Sequence, residues 1–316
     1  MTGRSWHVYA VPLRTAFRGI EVREGVLMRG PAGWGEFSPF REYDDVEAAA
    51  WWHAAVEAAD RGWPAPVRDE VPVNATVPPV TPGQVAAVLN RFPGCTTAKV
   101  KVAAAGQRPT DDEARLEAVR ERLGPAGRVR IDANGAWDVE TAARLLPRYD
   151  RAAGGLEYAE QPCPAVEDLA AVRRRVQVPI AADESIRRAD DPLRVARLHA
   201  ADVAVLKVQP LGGVRACLRI AETIGLPVVV SSALETSVGI AAGVALAAAL
   251  PELPYACGLA TVGLLSRDVV DPPLLAAGGM LPVHRPEPDP TLLAALRADD
   301  ETAAWWRARV ARVSRR

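Results

Sequence analysis

The sequence predicts an α/β protein: a parallel (β/α) barrel that carries a smaller α+β capping unit. Three observations lead there. From Val71 onward, eight short apolar runs alternate with seven helical stretches. Several of the runs stop at a charged residue, namely Asp132, Glu160, Asp183 and Lys207, and these lie 28, 23 and 24 positions apart. A strand–helix–strand unit takes roughly 30 residues, and in a parallel barrel the strand ends gather on one face. An open doubly wound sheet would instead show a glycine-rich dinucleotide turn after its first strand. No such turn follows Val77.

Residues 1–44 alternate apolar and polar side chains, as in Trp6 to Val11 and Glu21 to Met28, with glycine-rich turns at Gly30 to Gly35. That pattern predicts a small antiparallel sheet. A helix follows over 44–59, begun by acidic residues and broken by Trp63-Pro-Ala-Pro66. The barrel strands are expected at 71–77, 97–102, 128–132, 155–160, 178–183, 203–207, 226–231 and 254–258. Helices are expected at 81–92, 110–123, 138–149, 165–176, 190–199, 212–224 and 235–250, with a capping box at Thr110-Asp-Asp-Glu113. Beyond 264 the alternation stops and a helix over 291–312 carries Trp305 and Trp306. Residues 1–70 and 264–316 are therefore expected to form one cap over a barrel at 71–263.

Composition narrows the function. A net charge of −1 offers no basic field for nucleic acid or an anionic membrane surface. The four cysteines, Cys95, Cys163, Cys217 and Cys257, form no CxxC pair and suit a reducing compartment. The N-terminus lacks a signal-peptide pattern. The longest apolar run, Val238 to Leu250, is too short to span a bilayer. The expectation is a cytoplasmic protein, monomeric or a small homo-oligomer, acting on a small carboxylate.

The charged strand ends suggest the chemistry. Asp132, Glu160 and Asp183 are hard oxygen donors, suited to Mg²⁺ with positions left open for substrate. No His or Cys stands with them, which argues against zinc. Lys99 and Lys101 are two apart on one strand and so share a face. Two ammonium groups buried side by side lower the pKa of at least one, which makes a general base. Lys207 lies across the barrel. Such a set removes the proton α to a carboxylate and stabilises the enediolate that results. Weaker signals are Ser231 and Ser232 as carboxylate ligands, Gly212-Gly213 as an anion-binding helix start, and Glu184 as support for Asp183. The four histidines are scattered and read as structural or exposed.

Lys99-Val-Lys101, Asp132-Ala-Asn134, Glu160-Gln-Pro162, Asp183-Glu-Ser185 and Lys207 followed by Pro210 to Gly213 together resemble the muconate-lactonizing-enzyme subgroup of the enolase superfamily. The resemblance spans essentially the whole chain. It implies a (β/α)7β barrel with an α+β capping domain built from both chain ends. It also implies Asp132, Glu160 and Asp183 as Mg²⁺ ligands, Lys101 as acid/base, Lys207 as its opposed partner and Lys99 as support. A lysine base beside Mg²⁺ is an established pattern of that superfamily. The short N-terminal part, Ser231 to Gly239 and Gly258-Leu-Ala-Thr261 resemble the actinobacterial o-succinylbenzoate synthase family. That implies dehydration of a succinyl-hydroxycyclohexadiene carboxylate on the way to menaquinone. It adds Gly258 to the expected substrate contacts and places Thr15, Phe17 and Arg18 in the cap loop, with Arg18 a candidate ligand. Racemases, dipeptide epimerases and muconate cycloisomerases use the same lysines and metal. A barrel that binds metal without turnover is the reading from a different class.

Overall fold

The computed structural model describes residues 5–17, 19–188 and 191–316. Arg18 lies outside the described residues. The chain begins with an antiparallel sheet of β1 (Trp6–Phe17), β2 (Ile20–Gly30) and β3 (Gly33–Phe37). The turn into β3 needs Gly33, whose φ of 131° favours glycine. Helix α1 (Asp45–Val56) starts where the Asp44 carboxylate accepts the N–H groups of Val46 and Glu47, both at 2.8 Å. One π turn, Glu57–Arg61, extends it.

After a short strand β4 (Glu70–Pro72), the barrel runs β5 (Ala75–Val77), α2 (Val85–Leu89), β6 (Thr97–Lys101), α3 (Pro109–Leu123), β7 (Arg128–Asp132), α4 (Val139–Ala152) and β8 (Leu156–Glu160). It continues through α5 (Val166–Arg173), β9 (Ile180–Ala182), α6 (Glu184–Arg187), α7 (Arg194–Arg197), β10 (Val203–Lys207), α8 (Val214–Ile224), β11 (Val228–Ser231) and α9 (Ser237–Ala249). Strands β5 to β11 pair in sequence order, each parallel to the next. The strand expected at 254–258 is reduced to two parallel bridges, Ser231 to Gly258 and Val73 to Cys257. Those bridges join the two edges of the sheet and close the ring.

Local details depart from the sequence reading. The strand expected at 71–77 is split: β4 pairs antiparallel with β12 (Met280–Pro282) in the C-terminal segment. Pro72 has no N–H to give a ladder, and β5 begins three residues later in the parallel sheet. The capping box of α3 falls two residues earlier than expected, with the Arg108 N–H donating to Asp111 at 2.9 Å. The tail helix is two helices, α10 (Pro290–Ala295) and α11 (Asp300–Val313), because Asp299 caps a new start by accepting the Thr302 N–H at 2.7 Å.

Helix α11 packs on the N-terminal sheet. Trp306 meets the Phe37 ring edge-on at 5.9 Å, and Val26, Met28, Val310 and Val313 share that apolar cluster. The apolar run read from 238 is α9, buried along nearly its whole length. Among the described residues no helix is long and apolar enough to cross a membrane. Inside the barrel, Tyr158, Ala181, Val203, Val205 and Val229 form a separate cluster. Arg130 is buried beside them, 4.7 Å from the Tyr158 ring and 2.5 Å from Glu157. This layer is the floor beneath the charged strand ends.

Candidate active site

Register places the charged residues side by side. Lys101 pairs with Asp132 across β6 and β7, and Asp132 with Glu160 across β7 and β8. Asp183 follows β9, and Lys207 ends β10 opposite Ser231. Asp132, Glu160 and Asp183 are each 0% exposed, and burial of three carboxylates requires compensating charge.

The compensation comes from the lysines. Lys99 Nζ donates to both Glu160 oxygens, at 2.9 and 2.8 Å, and lies 3.5 Å from Asp132. Lys101 Nζ donates to Asp132 at 2.5 Å and to Asn134 Oδ1 at 2.8 Å. Lys207 Nζ donates to Asp183 at 2.6 Å, while Arg187 Nε donates to the other Asp183 oxygen at 2.9 Å. Arg187 also donates to Glu184 at 2.6 Å and to the Tyr43 hydroxyl of the cap at 3.1 Å. Asn134 Nδ2 donates to Glu184 at 3.2 Å. Hydrogen bonds thus run without a break from Lys101 through Asn134, Glu184, Arg187 and Asp183 to Lys207.

The two neighbouring lysines differ in basicity. Burial lowers the Lys101 pKa; Asp132 opposes this and the Lys99 charge adds to it. Burial also acts against the charge on Lys99, but Glu160 and Asp132 outweigh it and hold that ammonium protonated. Lys101 is therefore the better base. Its ammonium lies 5.4 Å from the centre of the Phe17 ring, at the end of β1 in the cap.

Among the described residues no three acidic, His or Cys side chains converge as a metal-ligand group. Each carboxylate is turned to its own lysine or arginine. The chemistry of the donor set nevertheless fits a hard divalent cation: oxygen donors alone, fully buried, at adjacent strand ends. The carboxylates also crowd one another. Burial first, then the Asp132 charge, pushes Glu160 up to about 7, with Lys99 opposing and Asp183 adding. A divalent cation among them removes that repulsion.

The other expected contacts are placed as follows. Ser231 shares a strand face with Val229, and so points to the barrel interior. Ser232 Oγ donates to the Gly258 carbonyl at 2.7 Å and lies 2.9 Å from Thr261 Oγ1, so its hydroxyl is engaged within the wall. Gly258 leaves room for Ser231: a Cβ there would stand 2.5 Å from Ser231 Oγ. Gly258→Ala is accordingly expected to displace that hydroxyl and raise KM roughly tenfold, about 1.4 kcal/mol of lost binding. Steady-state kinetics at saturating metal measures it. The helix start at Gly212-Gly213 is filled by the protein itself: the Glu57 carboxylate accepts the Val214 N–H at 2.6 Å.

Glu235, just past Ser232, is buried, and its carboxyl is pushed up to about 7 by burial first and then by the Glu36 charge, with Arg23 opposing. The fold therefore holds the protonated form. The stability this contributes is complete below the ordinary value of 4.5 and is lost as pH rises through 7. Glu235→Gln stays neutral, so it is expected to exceed wild type in stability at about pH 8 by on the order of 1–3 kcal/mol, with no gain at about pH 4. Denaturant midpoints at both pH values check this.

Sequence reasoning missed Asn134 as a lysine partner, and also Arg187, Tyr43 and Gln161. Gln161 Oε1 accepts the Asp183 N–H at 2.9 Å and the Ser185 N–H at 3.2 Å. The signal for Arg187 was available: it stands four residues after Asp183, on the same face of a helical turn. Tyr43 is brought in from the cap and has no local signal.

Residues 84–289 match the family model described as enolase C-terminal domain-like, and residues 8–59 match enolase N-terminal domain-like. The chain belongs to the enolase superfamily. It is 66% identical over 311 residues to an o-succinylbenzoate synthase of Thermobifida fusca, covering 98% of this chain and 95% of that protein. It is 58% identical over 304 residues to an o-succinylbenzoate synthase of Mycolicibacterium smegmatis, covering 96% and 93%. Among solved structures, the muconate lactonizing enzyme of Pseudomonas fluorescens complexed with muconolactone superposes with a TM-score of 0.77 at 22% identity, covering 94% of this chain and 98% of that one. The L-Ala-D/L-Glu epimerase of Bacillus subtilis superposes with a TM-score of 0.75 at 24% identity, covering 90% and 96%. Those two likenesses establish the (β/α)7β barrel with its β-rich N-terminal domain.

Proposed function

We propose that this chain is an o-succinylbenzoate synthase, which removes water from 2-succinyl-6-hydroxy-2,4-cyclohexadiene-1-carboxylate to give o-succinylbenzoate for menaquinone synthesis. The observation that carries the reading is the joined set of lysines and buried carboxylates at adjacent strand ends, in a chain 66% identical to a protein of that name.

Asp132, Glu160 and Asp183 would hold Mg²⁺. When bound, that ion would draw electron density from the substrate carboxylate and so acidify its α-proton. Lys101 takes the α-proton, its Nζ aimed by Asn134. The same ammonium then gives a proton to the departing hydroxyl. C–H and C–O bonds break on one face, water leaves, and the ring becomes aromatic. Lys207, on the opposite side and paired with Asp183, faces the negative charge that develops as the proton departs. Lys99 pairs with Glu160, opposing the rise that burial and Asp132 give its carboxyl, and adds the neighbouring charge that lowers the basicity of Lys101. Ser231, Gly258 and Ser232 form the wall that receives a substrate carboxylate, and Arg18 is a further candidate ligand for the substrate.

We also place residues 1–70 and 264–316 in one cap over a barrel at 71–263, and the protein in the cytoplasm as a monomer or small homo-oligomer. Four unpaired cysteines support a reducing compartment. The experiment is a side-by-side assay of the purified chain with Mg²⁺ on the cyclohexadiene carboxylate and on N-succinylamino acids, a dipeptide and muconate. Formation of o-succinylbenzoate as the fastest reaction supports the proposal. Faster racemisation, epimerisation or lactonisation replaces it with that activity, and no turnover of any of them favours a non-catalytic barrel.

A further inference from the structure

Two cap carboxylates sit on the starts of barrel helices. Glu57 accepts the Val214 and Arg215 N–H groups, at 2.6 and 3.3 Å, where α8 begins. Glu36, in β3, accepts the Thr236 N–H at 3.2 Å, the Thr236 hydroxyl at 2.5 Å and the Gly239 N–H at 3.0 Å, where α9 begins. Glu36 is 3% exposed, and the Tyr9 and Ser38 hydroxyls each donate to it at 2.7 Å. The positive end of a long helix is a favourable place for such a carboxylate. Its approach requires Gly239, since a Cβ there would lie 2.9 Å from Glu36 Oε2 and 2.6 Å from the Glu235 Cβ.

A cap cation grips the same turn from its other side. Arg23, in β2 and 2% exposed, donates to the Leu234 carbonyl at 3.0 Å and to the Ala233 carbonyl at 3.4 Å. It also donates to the Ser38 carbonyl, tying β2 to the end of β3. Leu234 has a φ of 66°, a left-handed conformation that costs a non-glycine residue and persists only where surroundings enforce it. Carbonyls of the turn are thus held by a cation and its N–H groups by an anion, both from the N-terminal sheet. Ser38 further joins Gln209, two residues past Lys207, whose Nε2 donates to Ser38 Oγ at 3.2 Å.

The turn from Ser232 to Thr236 is what connects Ser231, bridged to its neighbour Gly258, to α9. We infer that Glu36 and Arg23 are positioning residues for substrate binding: the cap clamps this turn and thereby sets where the Ser231 hydroxyl stands. The inference rests on the dehydratase reading and deepens it. Glu57 supplies the comparison, because it caps a barrel helix in the same manner but bonds to α8 and not to the Ser231 turn.

The test uses the full chain as wild type, Glu36→Gln and Glu57→Gln. Loss of charge-assisted buried hydrogen bonds in Glu36→Gln is expected to raise KM, and the Kd of o-succinylbenzoate by calorimetry, roughly ten- to a hundredfold, with kcat falling less than KM rises. The Thr236 and Gly239 amides are expected to exchange hydrogen faster. Glu57→Gln is expected to lower the melting temperature similarly while leaving KM within about twofold of wild type, because its bonds are to the start of α8 and the Ser232 to Thr236 turn keeps its clamp. Should Glu36→Gln not fold, Thr236→Val removes one donor to Glu36 and is expected to shift KM the same way. Wild-type KM and product Kd in a folded Glu36→Gln overturn the inference. So do equal KM changes in both glutamine variants, in step with their melting temperatures. A wild-type chain without dehydratase activity counts against the function instead; amide exchange then still decides the clamp, unchanged protection at Thr236 and Gly239 overturning it.

Discussion

Lys101→Ala is expected to keep its fold and its metal affinity and to lose dehydration by more than about 10⁴-fold. A single general base contributes roughly 10²–10⁴-fold. Here one lysine serves both the proton removal and the departure of hydroxide, and it acts as a unit with the bound ion, so the loss exceeds that range. Its neighbour is no substitute. Lys99 is locked by both oxygens of Glu160, and that pair, with Asp132, holds it protonated against the effect of burial. Lys207→Ala is expected to be severely impaired as well, by loss of the opposed charge and by leaving Asp183 with Arg187 as its remaining cation. Dehydration rates of the purified variants decide the assignment. A Lys101→Ala enzyme within about tenfold of wild type would remove that residue from the mechanism, since a working base contributes more than that. If Lys99→Ala alone were dead, the two lysines exchange roles.

Asp183→Asn is expected to abolish activity and weaken Mg²⁺ binding without unfolding the barrel. Asp183 is bonded at once to Lys207 and Arg187. Its neutralisation leaves two buried cations with less compensation, and breaking a buried pair costs about 3–5 kcal/mol. The fold tolerates this because Arg187 retains Glu184 and the Tyr43 hydroxyl. Calorimetric Mg²⁺ titration together with a thermal melt separates the two effects. Wild-type Mg²⁺ affinity in a folded Asp183→Asn would take Asp183 out of the ligand set.

The barrel was legible because strand ends carry charge at regular spacing. Asp132, Glu160 and Lys207 terminate their strands as read, and period-two logic placed Lys99 and Lys101 together. What the sequence hid are bonds between distant segments. Glu36 lies about 200 positions before Thr236, and Tyr43 far before Arg187, and no local pattern announces such partners. The eighth strand was readable as an apolar run. Its contraction to two bridges was not, because which backbone groups of 254–258 find a partner is set by tertiary contact with the distant 72–74 and 230–231 segments. The helix start at Gly213 looked like an anion site because its N–H groups are indeed satisfied by an anion, and that anion is Glu57.

The most direct measurement of the central claim is turnover of the cyclohexadiene carboxylate by the purified chain before chelation, after exhaustive removal of divalent cations, and after Mg²⁺ is returned. A site of lysine acid/base chemistry built on three buried carboxylates predicts o-succinylbenzoate formation that disappears on removal and recovers with Mg²⁺. Full turnover in the metal-free enzyme would contradict it.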